Sequence, residues 1–475
     1  MRIEVREEAI ELGRLFEEKG YELALVGGAV RDLMLGRPVH DYDFTTSARP
    51  EEFEPILRAW GRDGFWDMGR KFGTLGALRR LPDGHDLSAE VTTYRSDEYE
   101  PDSRKPEVQY GDSLEGDLSR RDFTINCMAL RLPSCELVDP FDGEGDLDKG
   151  LLRTPVDPHQ SFDDDPLRMM RAIRFVAQLG FDIEAETAEA IYDMAPRLEI
   201  VSAERVRDEL TKLLLAKYPS DGIDELVDSG IADIVMPEIP ALRMTIDPSH
   251  PHKDVYEHTL MVLDRAIALE TDADGDVPRP DLTLRMAALL HDIGKPRTRK
   301  YEANGKVSFH HHDAVGAKIA AKRLHALRFD KELIADVYKL IDLHLRFHGY
   351  VEEPWTDSAV RRYVVDSGHL YSRLNRLTRA DATTQNKRKA RLFEEAMDEM
   401  EERVVELKEK EDLAQIRPEL NGQQIMEILG IKPGPLVGKA YKHMLAVRLD
   451  EGEIGYDEAV RELQAWWDQV GSKEV

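Results

Sequence analysis

The stretch LALVGGAVRDLMLGRPVHDYDFTT, residues 23–46, constrains this chain most: it reads as strand, glycine turn, short helix, glycine stop and strand in immediate succession. Each part has a chemical use. Gly27 and Gly28 let backbone approach a phosphate closely, and the helix that follows aims its free N–H groups at the same place. Arg31, in the first turn, can fork onto phosphate oxygens. A Gly-Gly pair before a helix is equally the signature of a plain turn. Asp41 and Asp43 add to it, because a strand's period of two sends both carboxylates to one face and Tyr42 and Phe44 to the core. Two hard oxygen ligands side by side suit Mg²⁺, which activates an attacking hydroxyl and neutralises a triphosphate. A solvated edge strand with incidental acids would carry the same letters. Glu90, between Ala89 and Val91 in the run AEVTTYR, is a candidate third carboxylate or an ordinary surface glutamate.

Short β-rich runs stop near residue 150, and from Pro166 onward most segments show helical spacing broken by polar loops. The pattern predicts an α/β head on an all-helical body, with the charged stretch Lys387–Asp412 as a solvated helix before a C-terminal helical unit. The length suggests about three domains. No internal repeat or low-complexity tract is present. The start lacks the apolar run of a signal peptide, and no segment is long and apolar enough to span a membrane. Cys127 and Cys135 are too few for a disulfide framework or a zinc cluster and fit a reducing cytoplasm. A formal charge of -28 ordinarily argues against a nucleic-acid partner. Net charge governs solubility and long-range field, however, whereas a substrate grips a local patch.

Two further constellations carry chemistry. In DDPLRMMRAIRF (residues 164–175), Asp165, Arg168, Arg171 and Arg174 recur at steps of three beside Pro166. At about 100° per residue, Asp165, Arg168 and Arg171 are expected on one side of a helix and Arg174 turned away. A carboxylate that accepts from the amino group of C or A, next to a guanidinium that donates, suits base selection; surface ion pairs are the bland alternative. Further on, His258, the pair His291 and Asp292, and Asp381 lie in helical segments, and imidazole with carboxylate suits a divalent transition metal. His311, His312 and His344 are additional candidates, although His310 and its neighbours also fit an exposed basic patch.

GGAVRD followed by HDYDFTT resembles the catalytic signature of class II tRNA nucleotidyltransferases and their bacterial poly(A) polymerase relatives. The resemblance implies that RRDFTIN (residues 120–126) is the second head motif, with Arg121 on the nucleotide and Asp122 and Asn126 supporting the fold. It implies that EVTTYR carries the third catalytic carboxylate, Glu90, and that residues 97–119 form the flexible loop used in switching from C to A addition. The neck matches a motif in which Asp165 and Arg168 select the incoming base, with Asp164 where glutamate is common; ERVRDELTKLL (residues 204–214) resembles its brace, with charges read as structural. HDIGKP (residues 291–296) resembles the HD-superfamily core, and RADATTQN and LNGQQIMEILGIKPGPLVGKAY look like the tail of actinobacterial CCA-adding enzymes with an HD domain. In that tail Lys432, Lys439 and Lys442 are candidates to grip the tRNA elbow or T arm, or they belong to a helical hairpin turn.

The expected fold class is therefore α+β: a nucleotidyltransferase-fold head with a mixed β-sheet, then an all-α neck, body and tail that include an HD-type helical domain. The expected boundaries are 1–150 for the head, 151–240 for the neck, 241–390 for the HD domain and 391–475 for the tail. The expected activity is template-independent addition and repair of the tRNA 3'-terminal CCA from CTP and ATP, with Mg²⁺ in the head, by a cytoplasmic monomer or homodimer. Poly(A) polymerase, an A-only or CC-only enzyme, and an HD metal phosphohydrolase are the rivals. The segment KFGTLGAL (residues 71–78) lacks the arginine-rich marker of the first, and the long loop at 97–119 argues against a CC-only form.

Overall fold

The computed structural model describes residues 3–39, 41–81, 84–98, 107–111, 113–244, 254–303, 307–351, 355–383, 386–410 and 416–469. The chain divides into two compact units, 1–237 and 238–475. The first opens with α1 (Glu7–Glu17), β1 (Leu23–Val26), α2 (Gly28–Met34), β2 (Asp41–Thr46), α3 (Pro50–Trp60), β3 (Gly64–Trp66), β4 (Thr74–Arg80) and β5 (Asp86–Thr93). Strands β6 (Arg95–Glu98) and β7 (Glu107–Tyr110) form a separate antiparallel pair, followed by α4 (Leu114–Ser119), β8 (Ala129–Leu132) and β9 (Glu136–Val138).

Seven of these strands form a mixed sheet in the order β3-β4-β5-β2-β1-β8-β9, in which β2 and β5 are the parallel pair. Buried on every residue, β1 lies between β2 and β8, which is why it is written as the unbroken apolar run LALV. Helix α1 packs on β1 and β8, and α3 packs on β4. Their buried residues follow helical steps: Ala9, Leu12 and Phe16 in α1, and Phe53, Ile56, Leu57 and Trp60 in α3. Each of the large ones contributes about 2 kcal/mol by leaving water. Tyr42 and Phe44 are buried while Asp41 and Asp43 are exposed, the alternation expected of β2.

The segment 97–119, expected as a loop, is ordered at both ends: β6 and β7 pair from Arg95↔Tyr110 to Glu98↔Glu107, and Ser113 caps α4. Alternation in EVQY is the signal for a strand there, overridden in the sequence reading by the polar composition around it. Residues 99–106 and 112 of the expected loop lie outside the described residues, as does His40.

Helices α5 (Gly143–Lys149), α6 (Pro158–Asp164), α7 (Leu167–Leu179), α8 (Ala185–Met194), α9 (Ala203–Leu214), α10 (Pro219–Asp228) and α11 (Ile231–Val235) complete the first unit, with α7 packed against α9 and α10.

The second unit is helical: α12 (Val255–Ala268), α13 (Leu282–Leu290), α14 (Lys295–Thr298), α15 (His312–Ala326), α16 (Lys331–Leu343), α17 (Asp357–Ser367) and α18 (Tyr371–Asp381). It continues through α19 (Lys387–Lys410), α20 (Gly422–Leu429), α21 (Pro435–Glu451) and α22 (Tyr456–Gln469). Helix α19 is less solvated than its charge suggests, because Phe393, Met397, Met400, Val404 and Leu407 form a buried stripe along one side. Helices α20 to α22 close around Ile425, Ala440, Met444, Ala459 and Leu463. Among the described residues no helix is long and apolar enough to cross a membrane.

Candidate active site and metal centre

Register places the three candidate carboxylates together. Asp43 is the direct cross-strand partner of Glu90, and Asp41 pairs with Ser88 two residues along, so Asp41, Asp43 and Glu90 share one face of the β2–β5 pair. The crowding has an electrostatic signature. Partial desolvation, together with the charges of Glu90 and Asp41, pushes the Asp43 carboxyl above its ordinary value against the pull of Arg121. Three hard oxygen donors that repel one another fit a divalent cation.

Beside them opens a cavity of about 480 Å³, a volume that suits a nucleotide. Its lining includes Gly27, Gly28 and Asp43 from the head and Asp165, Arg168, Arg171, Arg174 and Phe175 from the neck. Seven arginines and Lys212 face it against Asp43, Asp122 and Asp165, so a strongly acidic chain presents a cationic cavity. Gly27 supports this locally: its φ of 71° lies in the left-handed region, and a Cβ there would stand 3.0 Å from Arg121 Nη1.

The arginines are held by buried carboxylates. Asp117 accepts from Arg120 at 3.1 Å and from Arg121 at 3.0 Å. Asp122 accepts from Arg171 Nε at 2.7 Å, from Asn126 Nδ2 at 2.9 Å and from the Phe123 N–H at 2.8 Å. Burial would raise the Asp122 carboxyl, but Arg171 and these hydrogen bonds hold it at about 2. Asn126 accepts in turn from Arg31 Nη1 at 2.7 Å, so one chain of bonds runs from α7 to the glycine turn.

Three expectations need correction. Arg31 lines the cavity, but its forked edge is taken by Asp32, at 3.0 Å for both bonds, because the adjacent carboxylate is always within reach. Asp165 is not on the helix: it is extended, with φ -144° and ψ 98°, since a residue before proline is excluded from the helical region. Its carboxylate pairs with Arg205 at 3.0 Å. Arg174 has not turned away. It lines the cavity with Arg168 and Arg171 and pairs with Glu209 at 2.6 Å, because the cavity wraps round the helix and a long side chain spans the remaining angle. Arg168 donates to Ser161 Oγ at 2.8 Å and to the Arg120 carbonyl.

In the second unit five helices converge on one point. His258 comes from α12, His291 and Asp292 from the end of α13, His312 from the start of α15, His344 from the end of α16 and Asp381 from the end of α18. His258 Nε2 lies 3.0 Å from Asp381 Oδ1, His291 Nε2 lies 3.3 Å from Asp292 Oδ2, and His312 Nε2 lies 3.3 Å from Asp292 Oδ1. Every Nδ1 is engaged outward: His291 with the Ala288 carbonyl at 2.8 Å, His312 with that of Phe309 at 2.8 Å, His344 with that of Ile341 at 2.6 Å, and His258 with Thr383 Oγ1 at 3.0 Å. That arrangement turns all four Nε2 atoms inward, and those of His291 and His344 are buried without a hydrogen-bond partner. Against desolvation, Asp292 and Asp381 raise His291 to about 10, whereas desolvation and the nearby His291 charge lower His344 to about 4. The donors fall into two overlapping sets, His258 with His291 and Asp292, and Asp292 with His312 and His344. Imidazole and carboxylate in this number fit a divalent metal. His311 is not among them: it is exposed at the left-handed position that precedes α15.

Comparison with known proteins covers both units. The model of the poly A polymerase head domain matches residues 23–153, that of the probable RNA- and SrmB-binding site of polymerase A matches 180–242, and that of the HD domain matches 255–411. The A-adding tRNA nucleotidyltransferase of Deinococcus radiodurans is 33% identical over 459 residues, covering 94% of this chain and 95% of its own. The chain belongs to the tRNA nucleotidyltransferase family. The CCA-adding enzyme of Leuconostoc mesenteroides is 43% identical over 225 residues, 47% of this nucleotidyltransferase and 52% of that relative. In fold, the Bacillus stearothermophilus CCA-adding enzyme in complex with CTP matches at a TM-score of 0.67, with 23% identity and 99% of each chain covered. The Thermotoga maritima CCA-adding enzyme complexed with tRNA matches at 0.58, with 23% identity and 96% and 94% covered.

Several residues in and behind this nucleotidyltransferase's cavity are missed by sequence reasoning. Arg205 and Lys212, which line it, and Glu209, which pairs with Arg174 behind it, come from the segment read as a structural brace, and Asp117, which pairs with the cavity's Arg121, lies in the segment read as loop. Steps of three and four from Arg205 through Glu209 to Lys212 were the available signal. Lys432, Lys439 and Lys442 are exposed at the α20–α21 turn and along α21.

Proposed function

We propose that this nucleotidyltransferase adds and repairs the 3'-terminal CCA of tRNA, taking C twice from CTP and A once from ATP. The observation that carries the reading is the register-fixed row of carboxylates whose middle member, Asp43, lines a cationic cavity together with Asp165 and Arg168. Asp41 and Asp43, with Glu90, would hold Mg²⁺, which when bound lowers the pKa of the attacking hydroxyl and offsets charge on the triphosphate. Glu90 orients the tRNA 3'-hydroxyl and receives its proton as the oxygen bonds to the α-phosphorus and pyrophosphate departs. Gly27 and Gly28 bring backbone N–H groups close to the triphosphate, and Arg121, Arg171 and Arg174 supply positive charge along it. Asp165 accepts from the amino group of C or A and Arg168 donates to the ring, a pattern that U and G do not satisfy. Lys432, Lys439 and Lys442 are assigned to the tRNA backbone. Absence of a membrane-crossing helix among the described residues fits a cytoplasmic enzyme.

A-only addition is the second reading, favoured by the A-adding relative that matches nearly end to end. Supplying tRNA that lacks CCA, and tRNA that ends in CC, with CTP, ATP or both, then sequencing the ends, separates the two. The CCA reading expects C incorporation from CTP alone; A added solely to CC ends would establish the second. The HD cluster is assigned a divalent transition metal and a separate phosphohydrolase site. Asp43→Ala is expected to abolish nucleotide addition with the circular dichroism spectrum unchanged, and a fully active variant contradicts the assignment.

A further inference from the structure

Two adjacent rows of the head sheet differ in kind. Phe65, Ala77, Ala89 and Tyr42 are cross-strand partners in one row; Trp66, Gly76, Glu90 and Asp43 are partners in the next, on the opposite face. In that second row the largest side chain stands beside the smallest. A Cβ at Gly76 would fall 2.0 Å from Cε2 and 2.2 Å from Nε1 of Trp66, so the indole lies flat over Gly76 where any side chain would displace it. Its N–H then reaches across to Glu90 Oε1 at 3.4 Å.

Indole N–H is a donor only, so it cannot take the proton of an attacking hydroxyl. What it does is fix one Glu90 oxygen and leave the other for the shared cation or the hydroxyl. A glutamate on an open sheet face samples several rotamers, and a catalytic geometry lost to that freedom slows the chemical step without weakening nucleotide binding. We propose that Trp66, seated on Gly76, is the positioning residue for Glu90 in nucleotide addition. This rests on the reading of Glu90 as the third catalytic carboxylate.

The test uses the full chain with tRNA ending in CC and ATP, in initial-rate assays of wild type, Trp66→Phe, Gly76→Ala, Glu90→Ala and Trp66→Phe/Glu90→Ala. Trp66→Phe keeps an aromatic ring and removes the donor, and is expected to lower kcat roughly tenfold with KM for ATP within about twofold. Gly76→Ala keeps the donor but lifts the indole, and is expected to reproduce the loss. On the Glu90→Ala background Trp66→Phe is expected to add nothing, whereas a merely structural role multiplies the two losses. Full kcat in Trp66→Phe, or multiplicative losses in the double variant, overturns the proposal. Should Trp66→Phe fail to fold, Gly76→Ala decides by the same criterion. Undiminished kcat in Glu90→Ala instead removes the underlying reading of Glu90.

Discussion

Asp122 shows how one carboxylate holds two functional segments in place. It binds Arg171 of α7 and Asn126, and Asn126 binds Arg31 beside the glycine turn. Its carboxyl sits at about 2, below the ordinary 3.8. A depressed value means that the stabilisation is complete above the ordinary value and disappears as pH falls through the folded one, so the window is roughly pH 4 to 2. The pair is mostly shielded from water, and its loss costs on the order of 2 kcal/mol. Urea unfolding of Asp122→Asn against wild type is expected to show that deficit at neutral pH and a shrinking difference as pH approaches 2; a deficit independent of pH contradicts it. Arg205 pairs with Asp165, the residue proposed to read the base. Because it holds Asp165, Arg205→Ala is expected to narrow the preference for CTP over UTP by about tenfold in kcat/KM, and unchanged discrimination would show that Asp165 needs no such partner.

At the level of elements, what repeats at fixed period was legible and what depends on a neighbour far along the chain was not. The alternation of Asp41, Tyr42, Asp43 and Phe44 gave strand β2 and its acidic face, and the unbroken LALV gave the central strand. The parallel pairing that sets Asp43 beside Glu90 is non-local and has no signature in either strand. Helical steps likewise located α7, but proline geometry at Asp165 and the reach of Arg174 altered which side chains face the cavity. The HD cluster was visible as a set of candidates, His258, His291, Asp292 and Asp381 with His311, His312 and His344 beside them; that His312 and His344 join it and His311 does not depends on where α15 begins and α16 ends. The glycine turn belongs to this scale too. Gly27→Ala forces a positive φ, with ψ of -138°, on an L-residue, at about 1–3 kcal/mol, and crowds Arg121. It is expected to raise KM for the nucleotide several-fold with kcat less affected, and an unchanged KM would argue that the turn does not touch the triphosphate.

Within a chain of charge -28, cations are concentrated around one cavity, which is how the proposed function accommodates an anionic substrate. It also carries two separate metal-suited centres in two compact units, oxygen donors in the first and imidazoles with carboxylates in the second. If these serve different chemistry, Asp292→Ala is expected to remove transition-metal binding, read by elemental analysis, while leaving nucleotide addition within about twofold of wild type. Coupled loss of both would make the HD centre part of the same reaction. The proposed function stands or falls with nucleotide transfer at the β2–β5 carboxylates. Incubating tRNA that lacks its CCA with CTP, ATP and Mg²⁺, and sequencing the 3' ends made by wild type and Asp43→Ala, tests it most directly. CCA ends from wild type and unextended ends from the variant are expected; equal extension by both overturns the assignment.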